Sequence, residues 1–234
     1  METTALLLKE PRQLDLAALR LIDPAEGDVV VETRWSGIST GTERLFWLGT
    51  MPPFPGMGYP LVPGYETVGE VVEAGPDADH RPGDFVFVPG ARCYSDARAL
   101  FGGSASRLVV SAVKAVTVDR ELKEDAALMA LAATAYHAMA GSFGRQPMLI
   151  VGHGVLGRLL ARLASLLGGE PPVVWERDPR RRDGAEGYAV IDPAEDERRD
   201  YQTVFDVSVE ARQYDLAART EPGDQRIEQR GVAR

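Results

Sequence analysis

The sequence predicts an α/β-plus-β chain: an irregular β-rich domain over residues 1–120, a partial doubly wound α/β domain over residues 121–209, and a polar tail over residues 210–234. Three observations predict it. The first part consists of short β-branched runs broken by Gly and Pro. The middle turns to Ala, Leu and Met and then to an apolar run that ends in glycines, Met148–Gly154. The last part carries nine charged residues between Ala211 and Arg234, with only Leu216, Ile227 and Val232 as branched aliphatics, too few for central strands.

In chain order, Asp28–Thr33, Thr67–Glu73, Asp84–Val88 and Ser106–Val110 read as strands. Gly49–Gly64, rich in Pro and Gly, reads as a loop. Its Phe, Tyr and Met side chains require that it pack on the core or line a pocket. Glu121–Ala140 reads as a helix, Met148–Val151 as a strand and Leu156–Leu167 as a helix. Val173–Glu176, Tyr188–Ile191 and Thr203–Val207 read as three further strands. Strand and helix alternate, as a parallel doubly wound sheet demands.

Composition narrows the function. With 44% hydrophobic and 26% charged residues the chain is globular, and 35 acids against 26 bases give a net charge of −9, which argues against nucleic acid as a partner. The single cysteine, Cys93, forbids an internal disulfide or a cysteine-rich zinc module and fits a reducing compartment, the cytoplasm. The N-terminal METTALLLKEPRQ carries no export signal, and no run approaches the ~18 apolar residues of a membrane span, so no integral membrane segment is expected.

The strongest motif is Gly152-His153-Gly154-Val155-Leu156-Gly157, which follows a strand and opens a helix. Gly152 permits the tight turn, Gly154 lets a pyrophosphate approach the backbone, and Gly157 lets helix and strand pack closely. The loop backbone through His153, Val155 and Leu156 places phosphate at the helix N-terminus. Glu176, nineteen residues beyond Gly157, ends the next strand, where a carboxylate accepts hydrogen bonds from a ribose and repels a 2′-phosphate. That pattern favours NAD over NADP, with Arg177 the feature that would admit NADP. The plainer alternative is a Gly-rich turn beside a surface Glu.

Taken together, Ser36-Gly37-Ile38-Ser39, Pro63-Gly64-Tyr65-Glu66 leading into Gly69-Glu70-Val71-Val72, Gly83-Asp84-Phe85-Val86, and Gly102–Arg107 before Leu108-Val109-Val110 resemble the medium-chain dehydrogenase/reductase family over roughly Ala5–Val209. The resemblance implies a chaperonin-10-like β domain followed by a Rossmann domain. It also implies that Thr134 faces the nicotinamide. Zinc-dependent members carry Cys where this chain has Ser39, His where it has Tyr65, and a third ligand near Ala130, so no metal is expected. The hydroxyls of Ser39, Thr40, Thr42 and Tyr65 then either donate hydrogen bonds and a proton path to an alcohol or only preserve the turn geometry of an older metal site. Glu66 reads as a buried hydrogen-bond anchor, His80 as solvated, and His137 as a half-buried packing residue rather than an acid/base.

Within the family, Ser36–Gly75, Leu149–Leu163 and Pro171–Glu176 are similar to members acting on bacteriochlorophyllide-type tetrapyrroles. This implies NAD-dependent oxidation of a 3-(1-hydroxyethyl) group to 3-acetyl in bacteriochlorophyll synthesis. A zinc-free quinone or enone reductase and an inactive nucleotide-binding remnant are the rival expectations, and a homodimer stays open. The polar tail predicts a sheet that stops at its fourth strand, for which a frameshift or early end is the simplest account, with impaired catalysis as the consequence.

Overall fold

In a computed structural model the chain is described over residues 1–53, 55–141 and 145–208, with the backbone of residues 220–228. Two compact units divide it, Met1–Ala130 and a second from Leu131 onward.

The first unit contains β1 (Glu2–Glu10), β2 (Gln13–Arg20), β3 (Asp28–Ser36), α1 (Thr42–Leu48), β4 (Leu61–Val62), β5 (Thr67–Ala74), β6 (Phe85–Val88), β7 (Arg98–Ala99), β8 (Arg107–Ser111) and β9 (Val116–Thr117). They form two sheets, of order β2-β1-β4-β7 and β8-β3-β5-β6-β9. Buried residues of both, including Leu7, Val30, Val31, Val62, Val71, Val86 and Leu108, make one core, and the consecutive buried residues of β3, β6 and β8 show that these strands are covered on both faces. The apolar loop after α1 packs rather than projects. Met51, Met57 and Tyr59 lie against Leu8, Phe46, Leu61 and Leu100, and the Tyr59 hydroxyl donates to the Phe46 carbonyl.

The expected helix Glu121–Ala140 divides. Arg120–Leu128 is a 3₁₀ segment with Lys123 at φ +47°, and the α-helix α2 begins only at Met129 and runs to Ala140. Ala126 and Ala127 of the 3₁₀ segment pack on Val68, Phe85 and Phe87, so burial of two small residues holds the segment on the sheet. His137 is exposed on α2, not half-buried, and the Nδ1 of His80 is out of solvent.

In the second unit β10 (Met148–Val151), α3 (Val155–Leu166), β11 (Val173–Trp175), β12 (Ala189–Ile191), β13 (Tyr201–Asp206) and β14 (Thr220–Glu228) follow α2. The sheet order is β12-β11-β10-β13-β14 and every pair is parallel. This is the doubly wound order around the first strand, with β10 central and fully buried as an all-apolar strand must be. Helices α2 and α3 supply Ala135, Met139, Leu160, Ala161 and Ala164 to a core with Ile150, Val174 and Phe205. The sheet therefore has a fifth strand where composition predicted none, because β14 joins through backbone pairing with β13, which a polar sequence can supply. The rest of the expected tail, residues 210–219 and 229–234, lies outside the described residues.

Candidate functional site

The second unit assembles the glycine motif around Glu176. Gly152 sits at φ +103°, a conformation that side-chain-bearing residues rarely adopt, and its N–H donates to the Trp175 carbonyl at 2.9 Å. A Cβ on Gly157 would stand 1.9 Å from the Gly152 carbonyl oxygen, so the turn closes onto α3 only because that position is bare. Gly154 caps α3, Val155 is exposed at its start, and Leu156 packs on the core behind it.

Glu176, 9% exposed, is held from two sides: Oε2 accepts from the His153 N–H at 3.1 Å and Oε1 from the Asp178 N–H at 3.0 Å. The carboxylate thus ties the glycine loop to the turn after β11. The Arg181 Nε lies 3.7 Å from Oε2. The ring of His153, expected to matter less than its backbone, is buried and bonded at both nitrogens, to the Arg181 carbonyl at 2.6 Å and the Tyr188 hydroxyl at 2.9 Å. Thr134, on α2, lines a narrow cavity of ≈ 30 Å³ with Ala138, Leu156, Asp206 and Val207.

In the first unit the turn before α1 gathers the hydroxyls. Ser39 Oγ accepts from the Thr42 N–H at 3.2 Å, and Thr42 Oγ1 stands 3.5 Å from the Tyr65 hydroxyl. Thr40 is exposed on the same turn. Burial raises the pKa of the half-buried Tyr65, against the hydrogen bonds from Ser39 and Thr42 that lower it, and the edge of the Phe101 ring packs on it with centroids 5.1 Å apart. Phe101 holds φ +67°, an outlier for a bulky side chain, and is partly exposed.

Behind the hydroxyls lie two carboxyl groups. Both carboxylate oxygens of Glu43 are out of solvent with no hydrogen-bond partner, and so is Oε1 of Glu66. Desolvation pushes the Glu43 pKa up to about 7. The nearby Glu66 adds to the rise, and the backbone amides of Glu43, Ser39 and Gly64, near the carboxyl but outside hydrogen-bonding geometry, only partly oppose it. Burial likewise raises Glu66, which is buried as expected, but its Oε1 anchors nothing. Gly37 makes room for it, since a Cβ there would lie 2.0 Å from Glu66 Oε2. Glu43 went unnoticed in the sequence, where only the hydroxyl run before it was read for function and the helix α1 was not expected. The only signal was its place one residue after the hydroxyl run.

The donor set at the resembling zinc positions, hydroxyls of Ser39 and Tyr65 and the methyl of Ala130, does not suit a zinc ion, which takes thiolate, imidazole or carboxylate. Among the described residues no three His, Cys, Asp or Glu side chains group as a metal site.

A two-sheet β unit followed by a parallel nucleotide-binding sheet with this glycine turn is the architecture of the medium-chain dehydrogenases, and residues 25–120 match the family model of the alcohol dehydrogenase GroES-like domain. Two curated relatives, both named 2-desacetyl-2-hydroxyethyl bacteriochlorophyllide A dehydrogenase, are 61% identical over 213 residues (Cereibacter sphaeroides) and 57% identical over 209 residues (Rhodobacter capsulatus). Each match covers 89% of this chain and 67% of the relative, so the chain spans about two thirds of their length. The chain belongs to the family of these bacteriochlorophyllide dehydrogenases. A crystal structure from Sinorhizobium meliloti, described as a zinc-binding dehydrogenase bound to NADP, superposes with a TM-score of 0.79 at 22% identity, covering 100% of this chain and 78% of that one, a likeness of fold alone.

Proposed function

We propose that the chain oxidises the 3-(1-hydroxyethyl) group of a bacteriochlorophyllide to 3-acetyl without zinc, in the cytoplasm, with NAD supplying the hydride acceptor when bound. The observation that carries this reading is the 57–61% identity to relatives bearing that activity in their name. It is consistent that, among the described residues, no helix is long and apolar enough to cross a membrane.

The roles follow the geometry of each unit. Gly152, Gly154 and Gly157, with the loop backbone through His153, Val155 and Leu156, hold the pyrophosphate, and Glu176 holds the ribose. The Glu176 carboxylate, 9% exposed, would meet a 2′-phosphate with like charge in a partly desolvated place, which disfavours NADP. Thr134, on the helix beside the glycine loop, is assigned to the nicotinamide. In the β unit Ser39, Thr40, Thr42 and Tyr65 orient the alcohol oxygen by hydrogen bonding. Glu43, with its carboxyl buried behind these hydroxyls, is the base for the alcohol proton, and it accepts that proton near neutral pH because desolvation disfavours its anion. The partly exposed Phe101, edge-on to Tyr65, offers an apolar face to a flat macrocycle.

The test is to incubate the protein with NAD and a 3-(1-hydroxyethyl) bacteriochlorophyllide and to follow NADH absorbance and product mass. A product two hydrogens lighter with matching NADH is expected. Reduction of quinones or enones by NADH with no alcohol oxidation would overturn the reading in favour of a zinc-free reductase.

A further inference from the structure

Besides the Glu176 tie, the turn after β11 meets the glycine loop and α3 through one main-chain carbonyl. The Arg181 carbonyl accepts from the His153 ring at 2.6 Å and from Arg158 Nη2 at 3.1 Å. A carbonyl only accepts, so His153 Nδ1 carries the proton and Nε2 accepts from the Tyr188 hydroxyl at 2.9 Å. Burial lowers the pKa of this ring, which keeps it in the neutral form that this pattern needs. A buried imidazole committed to one carbonyl fixes the point from which the Arg181 side chain departs.

From that point the guanidinium spans two parts of the loop. Its Nε end is 3.7 Å from Glu176 Oε2. Its Nη2 end lies 3.1 Å from where a Cβ on Gly154 would be, directly at the N-terminus of α3. The side chain is 55% exposed, so a ligand can reach it without displacing the turn. Phosphate at a helix N-terminus already meets backbone N–H groups and the positive end of the helix dipole. An anion near Gly154 would meet the guanidinium as well. An anion at the other end would meet the Glu176 carboxylate together with Arg181, which offsets the gain.

We propose that Arg181 is a phosphate-binding residue of the dinucleotide site, its guanidinium pairing with the pyrophosphate received at Gly154, with His153 as the positioning residue that aims it. This rests on the reading of the glycine loop as a dinucleotide site. Glu176 then has two tasks in the free protein, holding the loop by its backbone contacts and keeping Arg181 extended across Gly154 until phosphate arrives.

The experiment is calorimetric titration of the protein and of Arg181→Ala and Arg181→Lys with NADH, NADPH, ADP and adenosine. Arg181→Ala should weaken NADH and ADP by about tenfold, the order of one charge-assisted hydrogen bond, and leave adenosine within about twofold. Arg181→Lys should recover part of the loss, because it returns the charge without the planar fork. Unchanged NADH and ADP affinity in Arg181→Ala would overturn the proposal. So would a loss confined to NADPH, which would assign Arg181 to a 2′-phosphate, or a loss for adenosine equal to that for ADP, which would make the residue structural. If the unaltered protein binds none of the four, the dinucleotide reading itself falls and takes this proposal with it.

Discussion

Glu176 and Glu43 are both largely withdrawn from water, and they are treated in opposite ways. Each oxygen of Glu176 receives a backbone N–H, from His153 and Asp178, whereas neither oxygen of Glu43 has a partner. A carboxylate met by main-chain donors at both oxygens is fixed in position, which suits the ribose-holding and loop-ordering role proposed for Glu176. A desolvated carboxyl without a hydrogen-bonded donor loses the preference for its charged form and titrates near neutrality, which suits the proton-accepting role proposed for Glu43. The difference is in keeping with the proposed division, binding in the second unit and proton handling in the first, and it arises from the hydrogen-bonding environment of two chemically similar side chains.

The comparison is broken most severely at the loop. Gly157→Val forces a branched side chain into a place where even a Cβ would be 1.9 Å from a carbonyl oxygen. It should abolish NADH binding in titrations and lower unfolding stability by at least the ~1–3 kcal/mol typical of overpacking. On the other side, Glu43→Gln keeps the shape and removes the acid/base. It should reduce alcohol oxidation by about 10²-fold or more, the usual scale for a general base, and remove the rise in rate expected of the parent protein as pH passes about 7.

The same residue gives a stability signature. Because the folded-state pKa of Glu43 is raised, the native protein holds this proton more tightly than the unfolded chain. The protein should therefore lose stability as pH rises from the ordinary value of 4.5 through about 7. Melting temperatures measured across that window should fall less in Glu43→Gln than in the parent. An identical slope would show that folding does not raise the Glu43 pKa.

A smaller effect is expected from Glu176→Ser, which should narrow the preference for NADH over NADPH by about tenfold. An unchanged ratio of dissociation constants would mean that Glu176 serves the loop and not the ribose. The smallest is Phe101→Gly. Relief of a positive φ, of order 1 kcal/mol, offsets the lost ring contact with Tyr65, so the melting temperature should stay nearly constant while bacteriochlorophyllide binding weakens.

The contrast also explains what was legible in the sequence. The glycine turn and the place of Glu176 at the end of the next strand could be read because both depend on local backbone geometry and a fixed spacing along the chain. The parallel sheet followed from apolar strands such as Met148–Val151, which only a buried position tolerates. The β1–β2 hairpin was not legible as a pair. Its turn places Arg12, not Gly or Asn, at φ +65°, and its second strand leaves Leu14 and Leu16 exposed. Nor was β14, which joins by backbone pairing and carries no apolar signature. Glu43 was missed for a different reason. Its chemistry is produced by burial beside Glu66, a property of the folded turn that residue type and spacing do not reveal.

The central claim is that hydroxyls and a weakened carboxyl replace a metal in the first unit, and the most direct measurement is the rate of NAD-dependent 3-(1-hydroxyethyl) bacteriochlorophyllide oxidation by chelator-treated protein, before and after one equivalent of zinc. The account predicts the same rate in both. A rate that vanishes with chelator and returns with zinc would contradict it.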